Sequence, residues 1–328
     1  MKLAATYLKA YLTELAATDD DRNRFLAGTG IKAEELFRSD AYFDITLALQ
    51  LLRNIDKETS PGWHVDVASR LQVAHHGALG FATVTAPTVG AALDTLVRYE
   101  SIRAQYALTA KQLTSANLTM KIIPVIDPEG PGALLVESSM IAFAGLVAEV
   151  LGRDAGKITI EFPAAYRPYE QRLIAVLPGE TDTASTRYAI SVPSSLLDQP
   201  CVLYDEKMHL ASIQKCEELI RQFELPSALE GRIQQRIMTA MTRPPTLTAL
   251  AAEEGVTERT LIRRLKENNT SYRKILSRVR RALAKDLLLT TELSVAEVSY
   301  RLGYNDTANF GRAFQGWFGQ SPGQFRRR

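Results

Sequence analysis

The chain has 328 residues, 46 % apolar and 23 % charged, ordinary values for a folded globular protein that exclude disordered, collagen-like and fibrous classes. At about 100 to 200 residues per domain, two domains are expected. The net charge of +2 conceals a segregation: residues 226–328 hold 18 Lys and Arg against 9 Asp and Glu, leaving 21 against 28 for the rest of the chain. A basic end joined to an acidic body points to a polyanion-binding module attached to something else, although a solvated basic face would give the same count.

In chain order, helical periodicity appears first over Leu3 to Leu15, where Lys9 and Glu14 interrupt the apolar run and argue against a signal peptide. It returns over Phe43 to Leu52, Val89 to Ile102 and Leu134 to Val150. The last falls in the longest apolar run, Leu134 to Leu151, but Glu137, Ser138, Ser139 and Glu149 would be penalised in a bilayer, so neither a membrane span nor a membrane partner is expected. Between these helices lie strand-like runs, Gln105 to Leu113, Asn117 to Val125, Lys157 to Phe162 and Arg187 to Val192. In them β-branched and aromatic residues alternate with polar ones. The first two are joined by Thr114, Ser115 and Ala116. The first 224 residues therefore read as an α+β domain with an antiparallel element, an architecture that serves binding as readily as catalysis. Two cysteines, Cys201 and Cys216, make no disulfide framework and are expected to be reduced thiols of a cytoplasmic protein.

A charged helical stretch, Asp205 to Glu224, ends at Leu225 and Pro226, because proline disfavours helix in the residue before it. This places domains at 1–224 and 225–328. Beyond it strand signals vanish, and an all-α domain is expected: Leu229 to Met241, Leu247 to Glu254, Glu258 to Lys266, Tyr272 to Leu289, Val295 to Leu302 and Thr307 to Trp317. Within it a unit repeats. Gly255 to Lys266 and Gly303 to Gln315 align once one extra turn residue is allowed in the second, so that Leu261 matches Phe310, Arg263 matches Arg312 and Leu265 matches Phe314.

Each unit reads as helix, glycine turn, cap and second helix, the helix-turn-helix arrangement. Gly255 and Gly303 stand where a left-handed residue ends the first helix. Thr257 and Asp306 offer cap oxygens, and Ser294 with Glu297 spells a capping box. If Leu261, Leu265, Phe310 and Phe314 face a core, then Arg259, Ile262, Arg263 and Lys266 in the first unit, and Thr307, Asn309 and Arg312 in the second, face outward. These are the candidate DNA-binding residues. A guanidinium fork matches guanine O6 and N7, an amide matches adenine, and an apolar tip packs on a thymine methyl.

Residues 226–328 resemble the DNA-binding domain of the AraC/XylS family of bacterial transcription regulators. The most specific part runs from Ser294 to Arg326, through Val295-Ala-Glu-Val298, Leu302-Gly-Tyr304, Asn309-Phe-Gly-Arg-Ala-Phe314 and Gly319-Gln-Ser-Pro-Gly-Gln-Phe-Arg326. The resemblance implies two helix-turn-helix units joined by a long helix, Tyr272 to Leu289, with double-stranded DNA as partner. Gln315 and Gly316 stand where the family more often carries basic residues, and Ile262 replaces a usually polar reader. The acidic body is similar to the arabinose-binding-like N-terminal domain of the ornithine-utilisation-regulator type. That similarity rests on His76-Gly-Ala-Leu-Gly-Phe81 and on Ala86 to Tyr99. It implies an effector-binding and dimerisation domain: a small-molecule effector of unknown identity, a homodimer, and RNA polymerase as a further partner of an activator.

Other signals lead nowhere. Gly152 to Lys157 is one residue short of a phosphate-binding loop, lacks the following Ser or Thr, and runs from helix to strand. Ser212 and Lys215 have a Ser-x-x-Lys spacing without its companion motifs. His75 and His76 diverge, with no carboxylate or cysteine placed to complete a metal site. No catalytic constellation, metal or cofactor is expected. Three readings compete: an effector-responsive transcription regulator, an effector-independent dimeric DNA-binding regulator, and an enzyme fused to a DNA-binding module.

Overall fold

The computed structural model describes residues 1–36, 41–126, 129–165, 167–222 and 228–327. The chain opens with β1 (Lys2–Ala4), α1 (Ala5–Leu15), α2 (Asp19–Leu26) and α3 (Ala33–Leu36). Strand β2 (Tyr42–Asp44) then returns antiparallel to β1 with Phe43 opposite Leu3. Helices α4 (Ile45–Glu58), α5 (Trp63–Ser69), α6 (Gly77–Val84) and α7 (Val89–Tyr99) follow. The hairpin β3 (Ala107–Leu113) and β4 (Asn117–Pro124) leads to α8 (Pro131–Leu151), β5 (Thr159–Pro163), α9 (Glu170–Val176), β6 (Glu180–Ser185), β7 (Tyr188–Pro193) and α10 (Glu206–Gln222). The C-terminal part is helical: α11 (Ala228–Thr239), α12 (Leu247–Glu253), α13 (Glu258–Glu267), α14 (Tyr272–Thr290), α15 (Val295–Arg301), α16 (Thr307–Phe318) and α17 (Pro322–Arg326). The expected junction at Leu225 and Pro226 lies outside the described residues.

A five-stranded sheet in the order β3-β4-β7-β5-β6 organises the N-terminal part, antiparallel except for the β5–β6 pair. The four strand-like runs of the sequence form β3, β4, β5 and β7. Strand β6 is not legible in the sequence, because Glu180-Thr-Asp-Thr-Ala-Ser185 is an edge strand with no apolar face to alternate. Nor do β1 and β2 show, at three residues each. Helix α8 is apolar nearly all round and long enough to cross a membrane by composition, yet it lies inside the fold. Val136, Met140, Ala144 and Val147 pack with Leu118, Met120 and Ile122 of β4 in one core. A second core gathers Leu3, Leu8, Leu12, Leu51, Leu52 and Ile55 from α1, α4 and β1.

The alternation along β4 fixes where the helical module sits. Leu118, Met120 and Ile122 point to the α8 core, so Lys121 and Ile123 point the other way. On that outer face Ile123, with Leu108 of β3, joins a third core made by Ile233 and Ile237 of α11 and Ile275 and Val279 of α14. Lys121 Nζ reaches Asp286 Oδ2 of α14 at 2.6 Å, and Lys285 Nζ donates to the Ile126 carbonyl at 3.1 Å. Gln235 of α11 donates to the Thr109 carbonyl and accepts from the Lys111 amide, as an added edge partner of β3 would. Strand β4 is thus covered on both faces, by α8 on one side and by the helical module on the other.

Candidate nucleic-acid interface

The two repeated units fold alike. After α12, Gly255 takes φ +64° and Thr257 accepts from the Thr260 amide at 3.2 Å, starting α13. After α15, Gly303 takes φ +69° and Asp306 accepts from the Asn309 amide at 2.6 Å, starting α16. The Ser294–Glu297 capping box is present at the head of α15, with reciprocal bonds of 2.7 and 3.2 Å. Ser321 and Gln324 form another at α17, which places Phe325 against Phe314 with ring centroids 5.3 Å apart. Leu261, Leu265, Phe310 and Phe314 are buried, as their matched spacing demands.

The opposite faces of α13 and α16 are open. Arg259, Ile262, Arg263 and Lys266 are exposed on α13, and Thr307, Asn309 and Arg312 are exposed on α16. Ile262 is 45 % exposed, a large apolar side chain left in water with no fold role. Among the described residues Arg263 pairs only with Glu267 one turn on, at 2.7 Å, an exposed pair of little worth that leaves the guanidinium available. Arg312 Nη2 donates to Asn309 Oδ1 at 2.7 Å, and the Asn309 amide donates in turn to the Asp306 carboxylate. The side chains that would meet bases on α16 are therefore pre-aligned with one another.

Several cations of the module serve the fold. Arg232 and Arg236 of α11 bind Glu254 at 2.8 Å and Glu253 at 2.7 Å, fastening α11 to the end of α12. Arg278 of α14 donates to Glu230 at 2.6 Å and Gln234 at 3.1 Å, both buried on α11. Arg280 donates to the carbonyls of Leu302 at 2.9 Å and Gly303 at 2.8 Å and lies 4.3 Å from the Tyr304 ring centroid, so it clasps the second turn. Helical spacing does not show this division, because which arginine faces a buried glutamate depends on tertiary packing. Arg264, Arg273, Lys274 and Arg301 remain as further exposed cations around the two units.

The weaker signals are structural where they are described. Lys157 pairs with Asp154 at 2.6 Å in the turn after α8. Ser212 is buried in α10, while Lys215 is exposed and pairs with Glu218. His76 is buried against Tyr7, whose hydroxyl is 2.9 Å from Nδ1; burial above all, then Arg103, holds its pKa down at about 3. His75 Nδ1 accepts from the Gln72 amide at 2.9 Å. Burial pushes the Cys201 thiol up to about 11 and the Cys216 thiol to about 12, so neither is a reactive thiolate at neutral pH.

Two helix-turn-helix units on one basic helical module, carried by an α+β domain, define a DNA-binding transcription regulator. The comparisons place it: residues 21–201 match the arabinose-binding domain of AraC transcription regulators, N-terminal part, and residues 250–328 match a helix-turn-helix domain. The chain belongs to the AraC family of transcription regulators. It is 26 % identical over 314 residues to an uncharacterised HTH-type transcriptional regulator of Mycobacterium tuberculosis, spanning 92 % of this chain and 90 % of that one. It is 25 % identical over 268 residues to the ornithine utilization regulator of Pseudomonas aeruginosa, spanning 81 % and 78 %. Among solved structures it is similar to the transcriptional regulator CdpR from Pseudomonas aeruginosa, with a TM-score of 0.45 and 23 % identity over 94 % of this chain and 97 % of that one.

Proposed function

We propose that α13 and α16 read two major-groove segments of one operator, with Arg259, Ile262, Arg263, Lys266, Thr307, Asn309 and Arg312 as the side chains that meet bases and neighbouring phosphates. The observation that carries this is the exposure of all seven on the two second helices, while the other sides of those helices are locked into the core. Arg264, Arg273, Lys274 and Arg301 add phosphate contacts, which position the module without reading sequence. Residues 1–224 hold a small-molecule effector, and residues 225–328 act on DNA, in the cytoplasm.

The protein works as a homodimer, paired through Val202, Leu203, Tyr204, Met208 and Leu210. These large apolar side chains are each about half exposed or more, and they follow one another into the start of α10. As an activator it would also meet RNA polymerase. Selection of binding sites from a random duplex library tests the central reading. An enriched motif with two contact blocks about one helical turn apart is the expected result; enrichment of no motif refutes it. Sedimentation of wild type and Leu210→Glu tests the dimer, which the substitution should dissociate.

A further inference from the structure

The sheet and the C-terminal end of α14 enclose a cleft of about 510 Å³, a size that holds small ligands. Ile122, Pro124 and Pro163 give it an apolar wall on the sheet side, and Leu289 gives one on the α14 side. Along its lining runs a polar cluster that sequence reading did not single out. Glu137, 2 % exposed in the middle of α8, accepts from Arg167 Nε at 2.6 Å and from the Tyr169 hydroxyl at 2.9 Å, and it lies 2.9 Å from His64 Nε2. Burial alone would raise the Glu137 carboxyl, but His64 and Arg167 outweigh it and hold it below the usual carboxylate range. Such a cluster is costly to bury and adds little net stability, so it is a candidate for use rather than for support.

The balance of donors and acceptors indicates what would bind. Glu137 is taken up by the contacts just given. Glu161 receives Arg187 through Nε at 3.1 Å and Nη2 at 2.9 Å, and the Ser185 hydroxyl at 2.9 Å. Asp286 receives Lys121. These three carboxylates are thus occupied by the protein's own donors and Glu292, also in the lining, is exposed, whereas Arg187 Nη1 has no partner among the described residues, on a side chain 41 % exposed. A guanidinium with spare donors beside an apolar wall suits a carboxylate attached to an apolar body.

We infer that this cleft is the effector site and that its ligand is a small organic carboxylate, the carboxylate held by Arg187 and the body lying against Ile122, Pro163 and Leu289. The inference rests on the effector reading above. It also supplies a route to DNA. Lys285, Asp286, Leu289 and Thr290 form one wall of the cleft, and all belong to the helix that joins the two DNA-reading units. A ligand that favours one setting of α14 against the sheet changes the affinity for DNA, and DNA changes the affinity for the ligand by the same factor.

The test uses the full chain with hexanoate, octanoate, benzoate and phenylacetate, each beside its uncharged primary amide, read by thermal shift and by operator affinity. At least one carboxylate should raise the melting temperature and alter operator affinity where its amide does not. Arg187→Gln should raise the concentration for half-maximal shift by about tenfold or more, the loss of one charge-assisted contact. Leu289→Trp, which fills the cleft from the α14 side, should abolish the shift; a cooperative melt shows that each variant is folded. A carboxylate response unchanged in both variants, or a response to amides alone, overturns this site while leaving the effector reading standing. Wild type that responds to neither set, nor to a wider metabolite collection, overturns both.

Discussion

The two turn glycines occupy equivalent places in the repeated units, yet the structure gives them unequal burdens, and alanine at each measures the difference. Gly255 has φ +64° and a methyl group there would meet nothing within 4 Å. Gly303 has φ +69°, and the same methyl would lie 2.7 Å from the Met241 carbonyl oxygen, 3.1 Å from that of Thr242 and 3.0 Å from Pro244 Cδ. Left-handed backbone costs an alanine about 1 to 2 kcal/mol, which is all that Gly255→Ala should lose. Gly303→Ala adds a clash with backbone that cannot swing away, about 1 to 3 kcal/mol more by analogy with overpacked cores. Amide hydrogen exchange reads each unit separately. Gly255→Ala should speed exchange in α13 by about tenfold, and Gly303→Ala should speed it in α15 and α16 by about a hundredfold or more. Equal acceleration in the two units would refute the packing account of the second turn.

Further outcomes follow from the same geometry. With about six phosphates neutralised, log K for operator DNA should fall against log[salt] with a slope near −5; a flat response in a binding titration would remove the electrostatic basis of the reading. Arg263→Ala and Arg312→Ala should each cost about 1 to 3 kcal/mol on the selected site and relax discrimination at a few base pairs, whereas Arg232→Ala, tied to Glu254, should leave base preference unchanged; equal losses on selected and random duplex would show that the two arginines only touch phosphate. Burial above all raises the Glu100 carboxyl from 4.5 to about 7, so its own contribution to stability falls as pH rises through that window. His76, lowered from 6.5 to about 3, contributes in the opposite sense and loses stability as pH falls through its window. The two oppose each other between about pH 4.5 and 6.5, so Glu100→Gln should make the melting temperature drop more steeply than wild type on acidification; parallel curves would show that Glu100 does not titrate there.

The helical module was legible in the sequence because its signals are local. A glycine, a cap and two apolar residues four apart fix each unit, and α11 to α16 appear within one or two residues of the expected limits. The seven outward residues followed from periodicity alone. What was not legible depends on distant packing. Lys121 and Ile123 show nothing in sequence of their docking on α14 and α11. Glu137 stood out only as a charge that a membrane would reject; its partners lie 73, 30 and 32 residues away in His64, Arg167 and Tyr169. On the connecting helix Arg278 turns to the α11 side, where it meets Glu230 and Gln234, and not to the solvent side. Helical spacing could not distinguish those two faces, since both border polar residues.

How the two reading helices are held decides what one protomer does on DNA. Helix α14 has 19 residues, about 28 Å at 1.5 Å per residue, and each of its ends is tied to one unit. At its start the Tyr272 hydroxyl donates to the Pro245 carbonyl at 2.7 Å, just ahead of α12. At mid-length Arg280 clasps the second turn through Leu302 and Gly303, and Arg326 donates to the Leu288 carbonyl at 3.3 Å, fixing the helix end against α17. The second unit therefore cannot swing without breaking charged contacts to backbone, nor the first without breaking the Tyr272 hydrogen bond. Successive major grooves on one face of straight B-DNA lie 34 to 36 Å apart, so a rigid pair with this spacer engages both only if turns and helix ends make up the difference or the duplex bends. Smooth bending costs on the order of a few kcal/mol, less than the direct contacts of a second reading helix would return, and modest bending is the expected outcome. Five base pairs inserted between the two contact blocks should turn one of them to the far side of the duplex and abolish its protection in a footprint, while the other block stays protected. Arg280→Ala should loosen the second unit and restore part of the lost protection on the lengthened site. Full protection of both blocks by wild type after the insertion would show that the units move independently, and the clasp at Arg280 would then have no bearing on how DNA is bound.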